Sequence, residues 1–248
     1  MTDPTSLAII AAAFMIGGAV KGLAGLGLPV ITVAVLTSVF GLQTAMALMV
    51  MPGLIANSWQ ALTGGYMIPA FRRIASFLVP SLVTIWFGTG LLVALDSDWL
   101  VIILGVILAI YALTGVLGVT MRVPSSREYW FGPVFGAING VTTGMSGVAS
   151  TPSVIYLNGL GMPREMFIQA FGLLFLMSYV VLTASLWFRG IVGFEVGAIS
   201  FVATAPTLFG MWIGRQLRFR TSESVFRRCF FWILLAIAFL IVSQVTLF

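Results

Sequence analysis

The chain has 248 residues, of which 60% are hydrophobic and only 8% charged, with a net charge of +5. A soluble domain covers its surface with about 25% charged side chains, so this composition excludes a soluble fold and specifies an all-α, polytopic integral membrane protein. There is no histidine and one cysteine, Cys229, which excludes Cys/His metal centres, an internal disulfide, and Ser-His-Asp or Cys-His catalysis.

No cofactor is expected. The basic residues lie between apolar runs, where lipid headgroups and topology explain them better than nucleic acid does. Met1 to Ser6 contains Asp3 and no Lys or Arg. A cleavable signal peptide needs a basic start, so the first apolar run is expected to belong to the mature protein.

Along the chain there are eight hydrophobic segments. The first, residues 6–41, is too long for one span of about 20 residues and is interrupted by Lys21-Gly-Leu-Ala-Gly-Leu-Gly-Leu-Pro29. Runs of spanning length follow at 44–64, 74–95 and 99–119. The fifth segment, 131–161, is interrupted by Gly140-Val-Thr-Thr-Gly-Met-Ser-Gly-Val-Ala-Ser-Thr-Pro152, and the last three are 166–188, 196–214 and 229–247. Glycine and proline at this density break a helix.

The second half repeats the first. Pro80, Trp86 and Gly88 have the spacing of Pro206, Trp212 and Gly214, and at a nearby offset Gly27 and Gly41 pair with Gly147 and Gly161. Two four-segment repeats are therefore expected, 1–120 and 128–248, forming one transmembrane transporter domain. If all eight runs crossed once, the arginines in the loops would divide five against six. If each broken segment re-enters or crosses twice, ten arginines share one face and only Arg189 lies on the other, with Asp96, Asp98 and Glu195. The positive-inside rule selects the second arrangement. It makes the repeats inverted and puts both termini outside, in a multi-pass protein of the cell (inner) membrane. Inverted repeats with discontinuous helices are a transporter architecture, with the site at the midplane where the breaks meet.

A break frees backbone groups that lipid cannot satisfy. The start of a half-helix offers N–H groups and a positive dipole end to an anion. Pro29 is placed to open one such half-helix, and Ser150 and Thr151 before Pro152 to cap another. Lys21 is the only charged residue inside an apolar run. It reads either as the counter-charge of a bound anion or as a lysine that snorkels or bonds carbonyls freed by the break. Asn139, Thr142, Thr143, Ser146, Ser150 and Thr151 are candidate donors to the anion or, equally, glue between helices. Gly22, Gly25, Gly27, Gly144 and Gly147 either expose backbone or allow close packing. Asn57 and Ser58 are weaker candidates, and Trp59, Trp86 and Trp212 read as packing or interface residues. The basic stretch from Arg215 to Arg228 reads as an inside loop near anionic headgroups, with concentration of anions at that mouth as the second reading.

At the two breaks the chain resembles the sulfite exporter TauE/SafE family of membrane permeases. Gly22-Leu-Ala-Gly-Leu-Gly-Leu-Pro29 and Gly140-Val-Thr-Thr-Gly-Met-Ser-Gly147 carry the resemblance, with the Gly-led corners Gly41-Leu-Gln-Thr-Ala45 and Gly159-Leu-Gly-Met-Pro-Arg164 after them. Members usually carry a denser glycine cluster in the first break. The resemblance implies transport, with export as the first reading, of small, often sulfur-containing anions such as sulfite, thiosulfate or organosulfonates. Alternating access at a midplane site between the breaks follows from the repeat architecture. A passive anion channel and an uptake permease for the same anions are the alternatives. A membrane enzyme is disfavoured, because no acid lies within a span to pair with a base. The expected partners are a small anionic substrate and the lipid bilayer, with homo-oligomerisation open.

Overall fold

The computed structural model describes residues 3–119, 121–124, 127–148, 151–217 and 223–246; within these, the side chains of Thr151, 223–229, 241–242 and 244–246 are not described. The described residues form ten helices and no strand: α1 Pro4–Ala24, α2 Leu28–Phe40, α3 Leu42–Leu62, α4 Met67–Ala94, α5 Ser97–Val116, α6 Glu128–Ser146, α7 Thr151–Gly159, α8 Arg164–Phe188, α9 Phe194–Leu217 and α10 Glu223–Thr246. Six are long and apolar enough to cross a membrane: α1, α3, α4, α5, α8 and α9.

Local chemistry explains the helix ends. Asp3 caps α1 by accepting the Ser6 N–H at 2.9 Å, with Pro4 at the first helical position, where its missing N–H costs nothing. That hydrogen bond also holds the exposed Asp3 carboxyl below its ordinary pKa. α1 stops at Gly25, whose left-handed φ of 78° turns its N–H back to the Lys21 carbonyl at 2.7 Å. α6 stops in the same way at Gly147, with φ 70° and its N–H on the Thr143 carbonyl at 2.8 Å. Only glycine adopts this conformation freely. The helix-ending counterpart of Gly147 is thus Gly25. Gly27, which the sequence spacing pairs with Gly147, instead precedes α2 at φ 99°.

The segment lengths differ in places from the sequence expectation. α1 alone is a spanning helix, and α2 has 13 residues, about 20 Å at 1.5 Å per residue. α6, with 19 residues, is not among the six candidate spans, and α10 runs 24 residues, Glu223–Thr246.

Helix packing relates the two halves. α1 lies along α9 and α4 along α6; α3 packs on both α8 and α9, α4 also on α8, and α5 on α10. Exchanging α1–α5 in order with α6–α10 maps these pairs onto one another. Glycines set the first two contacts. A Cβ on Gly214 would stand 1.9 Å from the Ala19 carbonyl oxygen of α1, and one on Gly140 2.1 Å from that of Ser81 in α4. Backbones this close gain dispersion contacts along their whole length, the usual source of helix association in lipid. Large apolar side chains such as Phe87, Phe201 and Trp212 remain exposed on the outside, as hydrocarbon solvent allows.

A control lies in the same helix. Nothing stands within 4 Å of a Cβ on Gly197 in α9. Gly214→Ala should therefore lower stability by about 1–3 kcal/mol through overpacking, while Gly197→Ala should be neutral or stabilising by up to about 1 kcal/mol. Melting of the two variants in detergent checks this. Equal melting temperatures would mean that α1 and α9 are not in backbone contact.

Candidate functional site

The first break is organised around Lys21, in the last turn of α1 and only 4% exposed. Its ammonium donates to Asn57 Oδ1 at 2.6 Å and to Gln60 Oε1 at 3.2 Å, both on α3. It also lies 5.8 Å from the ring centroid of Phe175 on α8, within cation–π range. The two amides have no freedom to flip. Asn57 Nδ2 donates to the Gly53 carbonyl at 2.7 Å, and Gln60 Nε2 to the Ile168 carbonyl at 3.0 Å. Both amide oxygens are therefore turned toward the lysine, whose surroundings accept hydrogen bonds and carry no charge.

Among the described residues Lys21 is the only buried charged group. Asp3, Asp96, Asp98, Glu165 and Glu195 are exposed. Glu128 is paired with Arg73 at 2.8 Å, between α4 and α6. A buried ammonium with hydrogen bonds but no counter-charge is costly.

The glycines of this break divide into two kinds. Gly22 is a packing residue, since its Cβ would meet the Met211 carbonyl oxygen of α9 at 2.1 Å, whereas no atom lies within 4 Å of a Cβ on Gly25. Gly27 stands against Val20 and Phe230 and gives α2 no side-chain cap.

The second break is built differently. Thr142 donates to the Ile138 and Asn139 carbonyls, Thr143 to the Asn139 carbonyl at 2.6 Å, and Ser146 to the Thr142 carbonyl at 2.6 Å. Hydroxyls within a helix bond back in this way when no better acceptor is near. Their protons are committed to α6, and what they have left to offer is lone pairs. Ser146 uses one on the Val148 N–H at 3.2 Å. Asn139 is buried, with Nδ2 on Ser81 Oγ at 3.0 Å and Oδ1 without a partner among the described residues. Gly144 packs on α4, where its Cβ would meet the Ile85 carbonyl oxygen at 2.4 Å, and Gly147 faces Met46 of α3. Ser150 lies outside the described residues, and Thr151 opens α7 with its side chain undescribed.

Contacts through α3 and α8 connect the breaks. Lys21 bonds Asn57, and Asn57 bonds the Gly53 carbonyl. A Cβ on Gly53 would stand 2.6 Å from the Tyr179 ring, and Tyr179 donates to the Gly147 carbonyl at 3.2 Å. Gln169 of α8 adds a tie, donating to the Ala61 carbonyl at 2.9 Å and accepting the Tyr66 N–H at 2.6 Å.

Gln60, Phe175, Gln169 and Tyr179 were not legible as site residues. The available signal was the one-face spacing of Asn57 and Gln60 in an apolar run. Ser58 bonds its own helix at Leu54. Trp59, Trp86 and Trp212 are exposed, as interface residues should be. A separate cavity of about 530 Å³ lies between α1, α2 and α10, walled by Ile9, Val20, Ile31, Phe230 and other apolar side chains. Its described lining has no polar side chain that would hold an anion.

A family model described as "Sulfite exporter TauE/SafE" matches residues 9–241, which include both breaks. No curated protein and no solved structure matches the chain.

Proposed function

The chain belongs to the sulfite exporter TauE/SafE family, and from that premise we propose that it exports small sulfur-containing anions such as sulfite, thiosulfate or organosulfonates. Transport is by alternating access at Lys21, between the two helix breaks. The observation that carries this is a buried ammonium, held by two neutral amides, with no carboxylate buried among the described residues. An anion entering from water would supply the missing counter-charge, and Gly25 leaves space at the break.

The helix-packing exchange between α1–α5 and α6–α10 supports two repeats in one domain. The arginine partition supports their inversion, with both termini outside the inner membrane. A site between inverted repeats is exposed to each side in turn as one repeat rocks against the other.

A passive anion channel is the second reading, and counterflow separates the two. Proteoliposomes preloaded with unlabelled sulfite should transiently accumulate labelled sulfite above its outside concentration if the protein is an alternating-access carrier. Simple equilibration would identify a channel. Single cysteines placed at Thr5 and Ser126, after Cys229 is replaced, report orientation in intact cells. The first should label from outside and the second only after permeabilisation; the opposite result removes the inverted arrangement.

A further inference from the structure

We infer that the Lys21 site selects monovalent over divalent anions, an inference that rests on the transport function proposed above and deepens it. The argument is one of charge balance. Lys21 is the sole buried formal charge among the described residues, and each polar group that touches it is neutral: the amide oxygens of Asn57 and Gln60 and the face of the Phe175 ring. Among the described side chains, the basic residues of the elements around it do not reach it, and Arg215 at the end of α9 is exposed. Arg164, at the start of α8, is exposed. Arg189, at its end, donates to Thr89 Oγ1 at 3.1 Å and to the Trp86 carbonyl at 3.0 Å on α4.

Helix dipoles do not change the count. At the first break the C-terminus of α1 and the N-terminus of α2 lie three residues apart, Gly25 to Gly27 between them. Their partial charges are of opposite sign and similar size, so they offset one another. At the second break α6 ends and α7 begins in the same sense.

A monoanion therefore makes the occupied site neutral. A dianion leaves one uncompensated negative charge among apolar helices, a cost on the order of fiftyfold or more in binding by the insertion scale for a buried carboxylate. The amides add to the discrimination. One N–H of each is already spent, on the Gly53 or the Ile168 carbonyl, and their oxygens face the ammonium, where they repel excess negative charge. This narrows the anions proposed above to a sulfur oxyanion carrying one charge, hydrogensulfite or a monosulfonate, and disfavours the dianion thiosulfate.

Methanesulfonate and sulfate test this, because both are tetrahedral at sulfur and differ in charge. Each is added at graded concentration to wild-type proteoliposomes in which labelled sulfite flux is measured. Methanesulfonate should compete at least about fiftyfold more strongly than sulfate, and sulfite flux should carry one charge per sulfite by its reversal potential. Equal or stronger competition by sulfate, or two charges per sulfite, overturns the inference while leaving transport intact. An absence of protein-dependent sulfite flux removes the transport function itself, and the inference with it.

Discussion

Lys21→Met should abolish anion-dependent thermal stabilisation and lower sulfite flux by at least about a hundredfold, while the protein remains folded. Wild-type protein at a sulfite concentration 100 times its Kd should gain about 2.7 kcal/mol by mass action, and the variant should gain nothing. Two effects on its basal stability oppose each other. The Asn57 and Gln60 oxygens, which the ammonium now bonds at 2.6 and 3.2 Å, lose their partner, at a cost of about 1–3 kcal/mol for each that stays dry. Removal of the buried charge works the other way, since apolar replacement of buried ionic groups is often neutral or stabilising by about 1–4 kcal/mol. Methionine fills the volume and keeps the Phe175 contact through its thioether. Melting curves with and without sulfite, beside flux in proteoliposomes, measure both quantities. Normal binding and transport by Lys21→Met would make the lysine a structural bracket between α1 and α3.

Sulfite efflux from proteoliposomes should follow an imposed membrane potential and ignore a pH step. Proton relays through membranes run along chains of Asp, Glu or His. This sequence has no histidine. The acids whose side chains are described stand at helix ends, exposed or, for Glu128, paired with Arg73. Nor does export require coupling to protons. A potential of about 100 mV, negative inside, is worth roughly 2.3 kcal/mol per charge, which sustains about a fiftyfold gradient of a monoanion. Potassium gradients with valinomycin set the potential. The pH step is corrected for its effect on sulfite's own protonation. Accumulation driven by the pH step alone, against the electrochemical gradient, would establish proton coupling and overturn the expectation.

Much of the organisation was legible because it is written locally. Gly25 and Gly147 end α1 and α6 through a left-handed backbone that glycine supplies by itself, and apolar length marks α3, α4, α5, α8 and α9 as spans. The register of the repeat was less legible. Gly25 and Gly27 both adopt positive φ within three residues, and spacing alone does not say which one ends a helix and which precedes the next.

The site divides along the same line. Composition and arrangement along the chain determined a helical membrane protein with two interrupted segments and one lysine inside an apolar run, because the cost of burying charge and of breaking helices depends on residue type and neighbours. Only the tertiary structure decided what that lysine touches. Asn57 and Gln60 lie 36 and 39 residues away, and Phe175 belongs to the other half of the chain. Nothing in a helix's own sequence names the partner that will cover its polar face. The hydroxyls of Thr142, Thr143 and Ser146 show the converse: sequence presents them as donors, but folding commits their protons to the carbonyls of α6, one turn back. Hydrogen-bond capacity is a property of the residue, whereas its use is settled by whichever partner the packed helices bring within 3 Å or so.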